Sequence, residues 1–177
     1  MAVFNLKSAI ITNRDAVPKV LTDSYVSGGH INESEGYVQS GSATDAATST
    51  YKLCQVPSNA RVSSLQISNG AGGGAAAVKV GVFYPSFIPL GAGLSAANAG
   101  VAISDAFFAS ALSVVSAASN VDITNQSGTY SIDKQELPLW SALGLSADPG
   151  ISLDIVVTVT TVLAAQIFIG LKARYCE

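Results

Sequence analysis

Histidine is nearly missing from this chain: His30 is the only one in 177 residues. A Ser-His-Asp triad, a Cys-His pair or a zinc centre would each have to be built on that single side chain. It follows Gly28-Gly29 in a stretch of turn-forming residues and reads as a solvated loop residue. Cysteine is scarce as well. Cys54 and Cys176 are too few for a disulfide framework and lack C-x-x-C spacing, so two free thiols from a reducing cytoplasm are expected. Charge is the third shortage, with 12% charged residues against about 25% in an ordinary soluble domain. The formal net charge is −3 and the isoelectric point about 5.0. A surface that neutralises phosphates gathers Lys and Arg into patches, so nucleic acid is not an expected partner.

Long unbroken apolar runs are also missing. A membrane helix needs about 20 consecutive apolar residues. The nearest window, residues 155–171, is interrupted by Thr158, Thr160, Thr161 and Gln166, and its β-branched residues suit strands better than a helix. Residues 1–15 carry Lys7 and Arg14 around a short apolar stretch but no basic leader with a long apolar run and a small-residue cleavage site. Neither a membrane partner nor a secretory leader is expected.

What is present is apolar surface. Hydrophobic residues make up 49% of the chain, and the mean hydropathy is +0.41. The surplus concentrates in Val80–Val121, where Asp105 is the only charge and Pro85, Pro89, Gly91, Gly93 and Gly100 punctuate. Soluble monomers rarely show contiguous apolar patches beyond a few hundred Å². Self-association is therefore expected, most simply a trimer, with Val101, Phe107 and Phe108 in that stretch largely buried and counted, like the anchors of the N-terminal arm, among the oligomer or capsid interface residues.

Period-two alternation dominates from Ser49 onward. Strands are predicted at Tyr51–Val56, ended by the turn Pro57-Ser58-Asn59, and at Arg61–Ser68. A flexible loop, residues 69–77, would join the second of these to a strand at 78–83 as a hairpin. Shorter strands are predicted at 121–124 and 129–132, and a last hairpin from 151–161 and 166–175. Ser104-Asp105 resembles an N-cap before Phe107 and Phe108 and predicts a short helix. A second short helix is predicted after Leu137, with Pro138 in its first turn and Gly144 as its stop. The fold class is all-β: an antiparallel sandwich with two short helices, a jelly roll preferred over an immunoglobulin-like arrangement. Residues 1–48 lack sustained periodicity and read as an N-terminal arm, and residues 49–177 as the sandwich. Residues 1 to about 24 are expected to be an extended tether anchored on a neighbour by Phe4, Leu6, Ile10 and Ile11.

Motifs for chemistry are weak. Gly70–Ala75 fits G-x-G-x-x-A after a strand, but the next segment alternates with period two instead of opening a helix, and no acidic residue stands about 20 positions further on. The carboxylates Glu33, Glu35, Asp122, Asp133, Glu136, Asp148 and Asp154 include no pair that spacing brings together for acid/base work. Asp148-Pro149-Gly150 reads as turn chemistry. Trp140, beside Leu139 and Leu143, reads as a core anchor. No enzyme activity, metal or cofactor is expected.

Three segments carry a resemblance: YKLCQVPSNARVSSLQI at 51–67, DAFFASAL at 105–112 and ELPLWSALGLSADPG at 136–150. Together with the C-terminal strands, they resemble the head decoration, or cement, proteins of tailed bacteriophages. The resemblance implies a virion protein made in the host cytoplasm. Such a protein binds the outside of the coat shell, has itself and the major capsid protein as partners, and stabilises the lattice against DNA pressure. A receptor- or carbohydrate-binding module of a phage fibre is the alternative. It would need exposed aromatics such as Tyr84, Phe87 or Trp140 on a concave face.

Overall fold

The computed structural model describes residues 7–18, 20–21, 29–41, 44–88 and 94–177, with only the backbone described at residues 9, 10 and 14. Eight strands pair in nested fashion. β1 (Ile31–Gln39) pairs with β8 (Phe168–Cys176), and β2 (Thr50–Pro57) with β7 (Ser152–Val159). Inside these, β3 (Arg61–Asn69) pairs with β6 (Ala118–Asp122), and β4 (Ala77–Phe83) with β5 (Ala102–Ser113). The chain is thus one long antiparallel hairpin. Rolling it adds the pairs β3–β8 and β4–β7 and gives two four-stranded sheets, β1-β8-β3-β6 and β2-β7-β4-β5. That is the jelly roll, an all-β sandwich.

The rolling overturns both expected hairpins. β3 and β4 are neighbours in sequence but lie in different sheets, and so do β7 and β8. Alternation reports which face a residue takes and carries no information about which strand lies beside it. β1 lies within the segment assigned to the arm, so the sandwich begins at Ile31, ahead of the expected boundary at Ser49. Its inward positions Ser34 and Gly36 are small because the edge strand β2 comes close. A Cβ on Gly36 would lie 2.0 Å from the Leu53 carbonyl oxygen. Ser34 Oγ accepts from the Gln55 amide, and Cys54 Sγ donates to the Ser34 carbonyl.

The core between the sheets holds Val56, Val62, Leu65, Ile67, Val78, Val80, Val82, Leu153, Ile155, Val157, Ile169 and Leu171. At one end it closes on three rings. Phe107 and Phe108 meet edge to face at 5.1 Å, and Tyr130 lies 5.2 Å from the first and 5.1 Å from the second. The Tyr130 hydroxyl donates to the Val62 carbonyl at 2.7 Å. That bond satisfies the one polar atom the ring brings inside.

Residues 105–112, expected as a helix, belong instead to the twelve-residue strand β5. Extra residues opposite Val80–Val82 shift the register, and Phe107, Phe108 and Ala109 are buried in succession. Bulged strands lose period-two alternation, and here three consecutive buried residues imitate a helix face. The bulge also explains Gly81, where a Cβ would lie 2.3 Å from the Ser104 carbonyl oxygen and 2.6 Å from Asp105 Cα. The expected helix after Leu137 is present as the single turn α2 (Leu139–Ala142), stopped at Gly144 with φ +77°. The strand expected at 129–132 is turn structure. The N-terminal segment contains a helix, α1 (Ala9–Asp15), capped by Ser8, where an extended tether was expected.

Candidate functional site

The residues expected to make contacts separate into four groups. Phe4 and Leu6 lie outside the described residues. Ile10 and Ile11 sit in α1, and Ile11 is half-buried. Phe107 and Phe108 are fully buried inside the chain's own core, so neither can reach a neighbour, and both are removed from the list of surface contacts. Val101 was expected to be buried but is 48% exposed. It stays available for contact, as do Val17, Leu21, Phe87 and Val162, which are exposed large hydrophobics.

The rule behind these expectations needs the same correction. Part of the uncharged stretch is covered by the fold itself. Val80, Val82, Phe107, Phe108, Ala109 and Val114 are core residues, and Phe83 and Tyr84 are 9% exposed. Low charge in a sequence segment signals burial and does not say whether the cover is intra- or intermolecular.

Residues 69–77, expected as a flexible loop, are tied down. The Ala164 amide donates to the Gly72 carbonyl at 2.9 Å, and the Gly72 amide to Val114 at 2.8 Å. Thr161 Oγ1 donates to the Ala75 carbonyl and accepts from the Ala77 amide. Gly72 is packed so closely that a Cβ would meet the Val114 carbonyl oxygen at 2.6 Å. This clamp of the β3–β4 loop onto the β7–β8 loop lines an open apolar cavity of about 450 Å³ with Gly73, Gly74, Ala75, Val162 and Ala164. Gly72 packs against chain, and a strand follows these glycines where the pattern needs a helix, which leaves the dinucleotide pattern without its context.

Six of the seven carboxylates considered for acid/base work, Glu33, Glu35, Asp122, Asp133, Asp148 and Asp154, have structural partners. Asp154, 7% exposed, pairs with Lys52 Nζ at 3.1 Å, and that ammonium also donates to Ser86 Oγ. Asp105 pairs with Lys79. Asp148 accepts from the Ser58 hydroxyl and the Gly150 amide, which is the expected turn. Asp122 accepts from the Thr124 amide, and Asp133 from the Ser131 hydroxyl, which lowers its pKa. Glu33 pairs with Arg174 at 2.9 Å and Lys172 at 3.4 Å, while Glu35 pairs with Lys172 at 3.2 Å. The Arg174 hydrogen bond is the main cause of Glu33's lowered pKa, and the two glutamates raise that of Lys172. Among the described residues, no group of three or more His, Cys, Asp or Glu side chains is placed to hold a metal ion, and no helix is long and apolar enough to cross a membrane. His30 is exposed. Both cysteines are free thiols. Cys54 is buried, and desolvation pushes its pKa up to about 11.

Of the aromatics that a binding module would present, Tyr84 is buried, Trp140 half-buried and Phe87 exposed. The structure shows two exposed aromatics that the sequence reading missed, Tyr37 and Phe168, at 77% and 52% exposure. The signal available for Tyr37 was its place in the alternating segment Glu33-Ser-Glu-Gly-Tyr-Val-Gln39.

No protein-family model matches the chain, and no curated protein matches it by sequence. Among solved structures, the fold is similar to a chain in the capsid of Ralstonia phage GP4, with TM-score 0.57 and 17% identity over 84% of this chain and 85% of that one. Chains from the capsid asymmetric unit of cyanophage Pam1 and from the acid-stable capsid of Helicobacter pylori bacteriophage KHP30 give TM-scores of 0.47 and 0.31. They are 12% and 11% identical and each match 84% of this chain, with 85% and 94% of their own lengths covered. The likeness to the GP4 chain establishes a shared jelly-roll fold.

Proposed function

We propose that this chain is a non-enzymatic structural protein of a phage virion that binds the outside of the capsid and stabilises the coat lattice. The observation that carries this reading is the shared fold with the GP4 capsid chain along most of both chains, together with the sequence resemblance to head decoration proteins. Partners on this reading are the major capsid protein and further copies of the chain, most simply a trimer. Loop-end surface supports contact of this kind, because the apolar cavity beside Val162 and the exposed Val17, Leu21 and Val101 present apolar area that assembly would cover.

The N-terminal segment is proposed to hold the neighbour. Because β1 starts at Ile31, deleting residues 1–23 removes α1 and, among the described residues, no strand. The truncated chain should fold with an unchanged circular dichroism β signal and associate less with itself or with the shell. Co-sedimentation of the purified full-length chain with particles lacking it tests the whole reading. Saturable binding, with particles made more resistant to heat, is expected. Absence of binding at micromolar concentration, or binding only to isolated fibres, would overturn it.

A further inference from the structure

We propose that the outer face of the first sheet carries a groove for a neutral saccharide, floored by Gly170 and walled by Tyr37 and Phe168. The register sets three outward positions in one row, Tyr37 on β1, Gly170 on β8 and Ser68 on β3. Phe168 stands two residues back along β8. The two rings lie 6.1 Å apart, inclined at 58°, beside an open groove of about 370 Å³ also lined by Glu35 and Ser119. That volume lies in the range of small-molecule sites.

The glycine is the second observation. Gly36 and Gly81 are imposed by packing, since a Cβ on either would run into backbone at 2.0 and 2.3 Å. At Gly170 the nearest atoms to an added Cβ are Tyr37 Cβ and the Gly36 carbonyl oxygen, both at 3.5 Å, which is ordinary contact. Packing therefore tolerates a side chain here. A glycine inside a strand weakens it and often marks a place where a ligand approaches, and at this one it keeps the floor beside the two contacting rings open.

The lining selects the ligand class. A pyranose offers a C–H face that stacks on aromatic rings and a rim of hydroxyls that needs donors and acceptors. Tyr37 and Phe168 supply the first. Ser68 Oγ accepts from the Asn120 amide at 2.9 Å, which fixes the hydroxyl while leaving its proton to donate, and Glu35 supplies an acceptor. The two cations of β8 on this face are already engaged, Lys172 by Glu33 and Glu35 and Arg174 by Glu33, so the groove favours a neutral sugar over an acidic one or a phosphate. A protein partner fits less well. A stable interface covers about 800 Å² on each side around an apolar centre, whereas the apolar area here is two rings bordered by rows of ion pairs.

This site does not depend on where the protein sits in the virion. The test uses the full chain and a fixed panel of neutral oligosaccharides (chitotriose, cellotriose, maltotriose and mannotriose), read by saturation-transfer NMR at millimolar sugar. At least one should receive magnetisation through its ring C–H protons. Tyr37→Ala and Gly170→Val, the second filling the floor while keeping both rings, should each weaken binding by about tenfold with unchanged circular dichroism. Absence of transfer to every sugar would overturn the proposal. So would binding that survives both substitutions, or variants that keep sugar binding and lose self-association instead.

Discussion

The two sheets of the sandwich bury their outer faces to different extents. In the first sheet, β1 alternates, with Glu33, Glu35, Tyr37 and Gln39 outward and exposed, and it faces solvent on one side. In the second sheet, the central strand β7 is buried at every position from Leu153 to Val159. Its inward residues join the core, while Asp154, Val156 and Thr158 are buried on the other side. Cover there comes from the bulge of β5, whose Ser104-Asp105 backbone crosses Gly81, and from the Lys52–Asp154 and Lys79–Asp105 pairs. The buried part of the uncharged stretch, residues 80–84, 107–109 and 114, is therefore covered by the chain's own fold, while many of the other described residues of the stretch stay exposed. A strand buried on both faces reads as a continuous apolar run, and hydropathy alone cannot distinguish this from a subunit interface.

Substitutions sharpen the contrast. Phe107→Asp should give the largest effect, exceeding the roughly 3–5 kcal/mol that deleting a buried phenylalanine costs, because a charge is also stranded among apolar rings. Val101→Asp, six residues earlier on exposed surface, should stay within about 0.5 kcal/mol. Urea titration of both variants measures the difference, and equal losses would break the distinction between covered and open parts of the stretch. Gly81→Ala should cost about 1–3 kcal/mol through forced displacement of β5. Gly170→Ala on the open sheet should be close to neutral in the same titration.

Tyr130→Phe should destabilise the fold by about 1–3 kcal/mol, because the buried Val62 carbonyl loses its donor. Cys54 should resist iodoacetamide at neutral pH in the native protein, since its buried thiol holds its proton up to about 11 and the thiolate is the reactive form. Unfolding should expose it to labelling, as peptide mass spectrometry would show. The raised pKa adds stability below the ordinary thiol value of 9.0 that is lost as pH rises toward 11. The smallest effect belongs to the outer ion-pair rows. Glu33 has a lowered pKa through Arg174, so its contribution is present above the ordinary glutamate value of 4.5 and fades as pH falls through the lower native value. Thermal melts of Glu33→Gln and the parent protein should therefore converge in acid.

Strand positions in β2, β3, β4, β7 and β8 were legible because larger apolar residues recur at every second position in Tyr51–Val56, Arg61–Ser68 and the C-terminal third, although in β7 the positions between them are buried as well. Strand partners were not legible, because the rolled hairpin places sequence neighbours in opposite sheets. β1 was hidden by its small inward residues Ser34 and Gly36, and at Gly36 the closeness of Leu53 demands that composition. Phe107 and Phe108 were recognisable as buried, but their location in the core depended on a bulge that no local pattern reports. The Tyr37–Phe168 pair joins strands at opposite ends of the chain and follows only from the β1–β8 register.

Cryo-electron microscopy of the virion that carries this chain tests the central claim most directly. The account predicts an eight-stranded jelly roll on the outer surface of the head, with its first strand at Ile31, in contact with the coat protein and with copies of itself. Density for this chain only in a fibre or tail, or lining the inside of the shell, would contradict it.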